Sequence, residues 1–174
     1  MQIIGLVGLT CSGKTTALNY FKSNNWITID LGDIIRETYY TSQSNENIFE
    51  WTIKTHNLYG NSWSLLKAID RIRIQDNTKL VFSGIRFEEQ LKILRLIDKD
   101  FSLINILAEK EMRFQRFKNR NRGDSGVSRD DFEMKDFIEL NKYHIKSIIP
   151  KCNLEIFNNG NLKDFEKELL GKIK

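Results

Sequence analysis

Gly8-Leu9-Thr10-Cys11-Ser12-Gly13-Lys14-Thr15 fits G-x-x-x-x-G-K-[ST] at every position. The stretch follows an apolar run over residues 3–7 that reads as a strand, and it opens an amphipathic run over 14–22 that reads as a helix. In that context the pattern makes a phosphate cradle, the P-loop. Gly8 and Gly13 let the chain wrap so that backbone N–H groups converge on phosphate oxygens. The helix N-terminus adds its partial positive charge. Lys14 is predicted to reach the β- and γ-phosphates and the Thr15 hydroxyl to bind Mg²⁺. Thr10, Ser12 and Thr16 complete the cradle, with Cys11 as a small loop filler rather than a reactive thiol. The motif implies a nucleoside triphosphate ligand with Mg²⁺; ATP is the expected cofactor, with GTP left open.

Short β-branched runs alternate with longer amphipathic ones along the rest of the chain. Strands are predicted over 3–7, 26–30, 79–83, 102–108 and 154–157. Helices are predicted over 14–22, 33–40, 48–57, 62–75, 88–97, 109–118, 129–145 and 162–172. Nearly continuous apolar strands belong in a sheet covered on both faces. The expected fold is α/β, a five-stranded and mostly parallel sheet with helices on both faces. Residues 1–174 read as one domain, with an acceptor-binding helical region at about 31–76 and a small Arg-rich lid at about 119–130.

Composition narrows the class. The 27 Lys and Arg against 23 Asp and Glu give a net charge of +4, which suits a polyanionic ligand without requiring nucleic acid. Cys11 and Cys152, with His56 and His144, make no disulfide framework and no zinc spacing. No apolar run approaches the roughly 20 residues that span a bilayer, and no basic stretch precedes the first strand, so a cytoplasmic protein without membrane contact is expected. A GTPase is disfavoured because Asn141-Lys142-Tyr143-His144 lacks the closing Asp of the base-reading motif. A small-molecule kinase remains.

Gly8-Leu9-Thr10-Cys11-Ser12-Gly13-Lys14-Thr15, Leu31-Gly32-Asp33-Ile34-Ile35-Arg36-Glu37, Ser83-Gly84-Ile85-Arg86 and the run from Arg113 to Arg122 occur in this order. Taken together they resemble an archaeal-type nucleotide kinase-like P-loop family related to adenylate kinase and dephospho-CoA kinase. The resemblance implies a P-loop NTPase fold and transfer of the γ-phosphoryl group of ATP to a small phosphorylated or hydroxylated acceptor, most of all a nucleoside or deoxynucleoside monophosphate. It implies that Asp33 orients an acceptor oxygen or a magnesium-bound water, and that Arg36 and Arg86 bind acceptor phosphate. A helix cap at Asp33, a solvent-facing Arg36 and an ion pair of Arg86 with Glu88 or Glu89 are the structural alternatives. Arg113, Arg116 and Arg120, spaced i, i+3, i+7, share one helical face, and Arg120 and Arg122 would act in a lid that excludes water during transfer. Phe114, Phe117, Trp51, Tyr59 and Trp63 read as core before base-stacking platforms.

One departure stands out. Relatives end the third strand with Asp-Gly, where the Asp holds a water on Mg²⁺; here Ser83-Gly84 stands instead. Either Asp33 or Asp30 supplies the charge, or catalysis is weak. Dephospho-CoA kinase, a non-catalytic nucleotide-binding module and a polynucleotide 5′-hydroxyl kinase remain as alternatives.

Overall fold

The computed structural model describes residues 1–72, 78–120, 128–143 and 145–172. The strands are β1 (Gln2–Val7), β2 (Ile27–Asp30), β3 (Lys79–Ser83), β4 (Ser102–Leu107) and β5 (Leu154–Phe157). They form one sheet in the order β2-β3-β1-β4-β5, and every neighbouring pair is parallel. The helices are α1 (Lys14–Ser23), α2 (Leu31–Thr41), α3 (Ile48–Tyr59), α4 (Trp63–Asp70), α5 (Glu88–Ile97), α6 (Lys110–Lys118), α7 (Arg129–Asn141), α8 (Ile145–Ile148) and α9 (Leu162–Lys172). Because β1 is central and the chain runs first to one side of it and then to the other, ligands are expected beyond the carboxyl end of β1.

Alternation along the strands divides the core. Ile3 and Val7 of β1, with Leu80 and Phe82 of β3, pack under α2, α4 and α5 through Leu31, Ile34, Leu65, Leu91 and Leu94. Ile4 and Leu6, with Val81, Ile104 and Ile156, pack under α1 and α9 through Ala17, Phe21, Phe165 and Leu169. Fully burying each large apolar side chain contributes on the order of 1.5–3 kcal/mol. Both faces of β1 are thereby fixed, and the loop that follows it is held at a rigid edge.

Two helices differ from expectation. The helix predicted over 62–75 ends at Asp70. The one predicted over 129–145 stops at Asn141, because the N–H groups of Lys142 and Tyr143 both return to the Ile138 carbonyl at 2.8 and 3.1 Å. That closure turns Tyr143 toward the carboxyl end of the sheet.

A line of rings runs through the helical layer: Tyr39 to Trp51 at 5.6 Å, Trp51 to Trp63 at 6.1 Å, Trp63 to His56 at 5.8 Å and His56 to Phe87 at 4.7 Å between centroids. Trp51 and Trp63 are packing residues, as expected, whereas Tyr59 lies on the surface. Burial, helped by the nearby Arg86 charge, pushes the His56 ring down to about 4. A histidine held below its unfolded value of roughly 6.5 favours the folded state fully above that pH. That contribution is lost as pH falls from about 6.5 toward 4. The midpoint of urea unfolding should therefore drop across this window, and His56→Leu should flatten the slope. An equal slope in the variant would assign the acid sensitivity elsewhere.

Candidate functional site

The cradle between β1 and α1 has the backbone its glycines permit. Gly8 has φ 144° and Gly13 φ 117°. A Cβ on Gly8 would lie 2.4 Å from the Ile106 carbonyl oxygen, and one on Gly13 would lie 2.1 Å from Asn158 Nδ2. Cys11 also takes positive φ, 61°, at a cost of roughly 1–2 kcal/mol for a residue with a Cβ. Lys14 Nζ donates to the carbonyls of Gly8 and Leu9 at 2.6 and 2.8 Å, folding across its own loop. Burial lowers the Lys14 ammonium below its usual range, Glu139 and Asp30 oppose the shift, and Arg86 adds to it. Ser12 Oγ is buried without a hydrogen-bond partner. An N–H-rich loop and a lysine facing the cleft fit a phosphate chain.

A cleft of 970 Å³ opens from this loop. Thr10, Cys11, Gly13, Lys14, Thr15 and Thr16 face it, while Gly8 and Ser12 lie beneath as the loop's support. The far side is formed by α2 and α3 through Arg36, Tyr39, Tyr40, Phe49 and Thr52. Arg86 and Gly84 line the stretch between.

Of the two acids expected to make up for Ser83, Asp30 lines this cleft and Asp33 does not. Asp30 is the N-cap of α2 and accepts from the Gly32 N–H at 2.8 Å. It pairs in register with Ser83 across the β2–β3 ladder. Asp33 points outward, is not among the residues lining the cleft, and bonds to Arg36 on the same helix. The reason is helical phase: Leu31, Ile34 and Ile35 form the buried stripe, and Asp33 falls opposite it. Ser83 Oγ is wholly buried and has no hydrogen-bond partner among the described residues.

The arginine face of α6, with Arg120 just past its end, meets the cradle. Arg113 Nη1 donates to the Thr10 carbonyl at 3.2 Å, Arg116 Nη1 to that of Cys11 at 3.4 Å, and Arg120 Nη1 lies 4.0 Å from Cys11 Sγ. Arg116 Nη2 also donates to the Asn158 carbonyl at 2.7 Å, and Asn158 Nδ2 to the Ser12 carbonyl at 2.8 Å. Arg113 is committed elsewhere as well: it grips Asp136 of α7 bidentately at 2.7 and 2.6 Å. Arg122 lies outside the described residues. Phe117 is core, with Phe114 and Phe117 both against Phe132.

Arg86 pairs with neither Glu88 nor Glu89. Its Nη2 donates to Glu139 Oε1 at 3.3 Å, and its guanidinium lies 4.7 Å from the centre of the Tyr143 ring. The other oxygen, Glu139 Oε2, accepts the Thr10 N–H of the cradle at 2.6 Å. Burial pushes the Glu139 carboxyl up, but Lys14, Arg86 and the Thr10 N–H outweigh it and hold the group below the ordinary carboxylate range. Sequence reasoning missed Glu139, Asp136, Tyr143 and Asn158. A signal existed for the first three: they continue the buried Phe132 at helical spacing, placing acids on the inward face of α7.

These features define a P-loop NTPase fold. The chain is similar to proteins of the UPF0200 group: it is 24% identical over 175 residues to one from Thermococcus kodakarensis, covering 97% of this chain and 94% of that one. It is 29% identical over 175 residues to one from Methanosarcina mazei, covering 97% and 92%. No protein-family profile matches it. Among solved structures, shikimate kinase from Aquifex aeolicus superposes with a TM-score of 0.57 at 20% identity, covering 99% of this chain and 96% of that one. A gluconokinase from Sinorhizobium meliloti gives 0.61 at 15%, covering 98% and 90%. Dephospho-CoA kinase from Campylobacter jejuni gives 0.53 at 15%, covering 99% and 95%. The fold is shared with these kinases. Among the described residues no helix is long and apolar enough to cross a membrane.

Proposed function

We propose that this chain is an ATP-dependent kinase that transfers the γ-phosphoryl group to a small nucleoside-type acceptor, a nucleoside or deoxynucleoside monophosphate in the first instance. The observation that carries this reading is that one cleft joins a phosphate cradle to a second, aromatic-walled lobe between α2 and α3. Tyr39, Tyr40 and Phe49 offer ring faces to a base, and Arg36 offers a fork to an anionic group. Lys14 and the cradle N–H groups would hold the triphosphate. Thr15 and, through water, Asp30 would hold Mg²⁺, whose chemistry is to neutralise charge on the transferring phosphoryl group. Arg116 and Arg120 stand over the loop where closure excludes water. The helical region at about 31–76 would serve the acceptor; most of the lid expected at about 119–130 lies outside the described residues.

Asp30 is the stand-in for the missing carboxylate at Ser83. Asp30→Asn should raise the Mg²⁺ concentration needed for half-maximal activity about 10–100-fold, whereas Asp33→Asn should leave it unchanged. Magnesium titrations of both variants check this; a silent Asp30→Asn would remove Asp30 from the metal's surroundings.

The buried, neutral Ser83 favours one other reading, a module that binds nucleotide without turning it over. A coupled assay with ATP, Mg²⁺ and a panel of nucleotides, deoxynucleotides and dephospho-CoA separates the two. Turnover with one acceptor supports the kinase, and tight ATP binding with none supports the module.

A further inference from the structure

Glu139 sits where the two lobes of the cleft meet, and a phosphate-to-phosphate kinase has no evident use for it. The side chain is only 7% exposed as a residue, yet it lines the cleft. One oxygen is held by the Thr10 N–H of the cradle and the other by Arg86. Arg86 is itself braced by the Tyr143 ring, one turn beyond Glu139. The Thr10 hydroxyl bonds to the same carboxylate; its two oxygens carry four lone pairs in all, so one acceptor position remains after these three bonds. The group is therefore fixed, charged and still able to accept.

The charges around it decide what can approach. Lys14 and Arg86 are faced at this junction by Asp30 and Glu139. On the acceptor side Arg86 is held by Glu139 and Arg36 by Asp33. An attacking phosphate would bring its negative charge against a buried carboxylate, which like-charge repulsion at short range disfavours. A hydroxyl arrives neutral and needs a partner for its proton. The Arg36–Asp33 pair is different in kind: Asp33 is 66% exposed at the side chain, and exposed pairs contribute little to stability. Arg36 can exchange Asp33 for an anionic group on the acceptor, so the group that anchors the acceptor and the group that attacks need not be the same.

We propose that Glu139 receives the proton of an acceptor hydroxyl, so that the kinase described above makes a phosphate ester of an alcohol rather than a diphosphate. This rests on the kinase reading. In the step, the alcohol O–H bond breaks and its proton passes to the carboxylate of Glu139. The alcohol oxygen bonds to the γ-phosphorus while the bond from that phosphorus to the bridging oxygen breaks, and the electron pair leaves with ADP. Glu139 returns the proton to solvent after product leaves. Glu139 would thus both select the acceptor class and share in the chemistry, as a positioned carboxylate does in other phosphoryl transfers to hydroxyl groups.

The test takes the full chain with Mg·ATP and adenosine, guanosine, cytidine, uridine, thymidine or their 5′-monophosphates, reading ADP release and identifying products by phosphorus NMR. Water serves as the smallest hydroxyl acceptor in reactions without added nucleoside. Calorimetry gives ATP affinity for wild type, Glu139→Gln and Glu139→Asp. The expected product is a monoester. Glu139→Gln should lower kcat about 10²-fold or more, for added acceptor or for water, with ATP affinity retained and partial rescue in Glu139→Asp. A nucleoside diphosphate product overturns the proposal and leaves the kinase reading intact. So does a Gln variant with unchanged kcat and tighter ATP binding, which would make Glu139 a stand-in anion that ATP displaces. A wild-type chain that does not bind ATP, or binds it and neither transfers nor hydrolyses it, overturns the kinase reading and the proposal together.

Discussion

Lys14→Ala should lose phosphoryl transfer by roughly 10²–10³-fold and unfold at the temperature of the parent chain. The ammonium bridges the Gly8 and Leu9 carbonyls at the mouth of the cleft, and it belongs to neither of the apolar clusters that clamp β1. Removing it leaves two carbonyls facing a cleft, where water can take over their hydrogen bonds at little cost. What water cannot replace is a fixed cation beside the charge that moves during transfer. The loss should fall on kcat and on affinity for the triphosphate, and spare the affinity of the acceptor lobe, whose lining residues lie on α2 and α3. Single-turnover rates and ATP calorimetry, run beside a thermal melt, separate these effects. Parental binding and turnover in the variant would mean that the loop is not a phosphate site.

The cradle and the sheet were legible in the sequence because both rest on local rules. A strand, a glycine-bounded loop and a helix must follow one another for the motif to work, and the predicted strands agree with β1–β5 to within a residue at each end. The arginine stripe was legible too, since i, i+3, i+7 spacing puts Arg113, Arg116 and Arg120 on one face, and that face meets Thr10 and Cys11. Of the two acids offered for the place of the missing carboxylate, Asp33 was misplaced by phase. With α2 begun at Asp33 the outward direction of that residue is hidden; begun at Leu31, behind the Asp30 cap, it follows at once. Glu139 and Asp136 were lost for a different reason. Acids on a helix usually face solvent, and only the long-range meeting of α7 with the cradle and α6 shows that these two point inward. No local pattern encodes that meeting, although their continuation of the buried Phe132 stripe hinted at it.

Asp136→Ala should destabilise the fold by about 3–5 kcal/mol, because it leaves the Arg113 guanidinium buried without its counter-charge. Arg113 is 4% exposed, and its donors also serve the Ala108 and Thr10 carbonyls at 3.3 and 3.2 Å. The pair thus joins the end of β4, α6, α7 and the cradle at one point. In a chain of this size each kcal/mol moves Tm by roughly 2–4 °C, so a fall of about 6–20 °C is expected. Replacing both partners with apolar residues, Arg113→Met with Asp136→Leu, should recover most of that loss, since an apolar pair has no charge to desolvate. The double variant would still lack the bond from Arg113 to the Thr10 carbonyl. Its cradle should hold nucleotide less well even at recovered stability, which ATP calorimetry at a temperature well below both melts would detect. Recovery of Tm together with parental ATP affinity would show that the pair only fastens helices. Recovery of Tm with weakened affinity would show that Arg113 also sets the conformation of the loop, through the backbone of the same residue whose N–H holds Glu139.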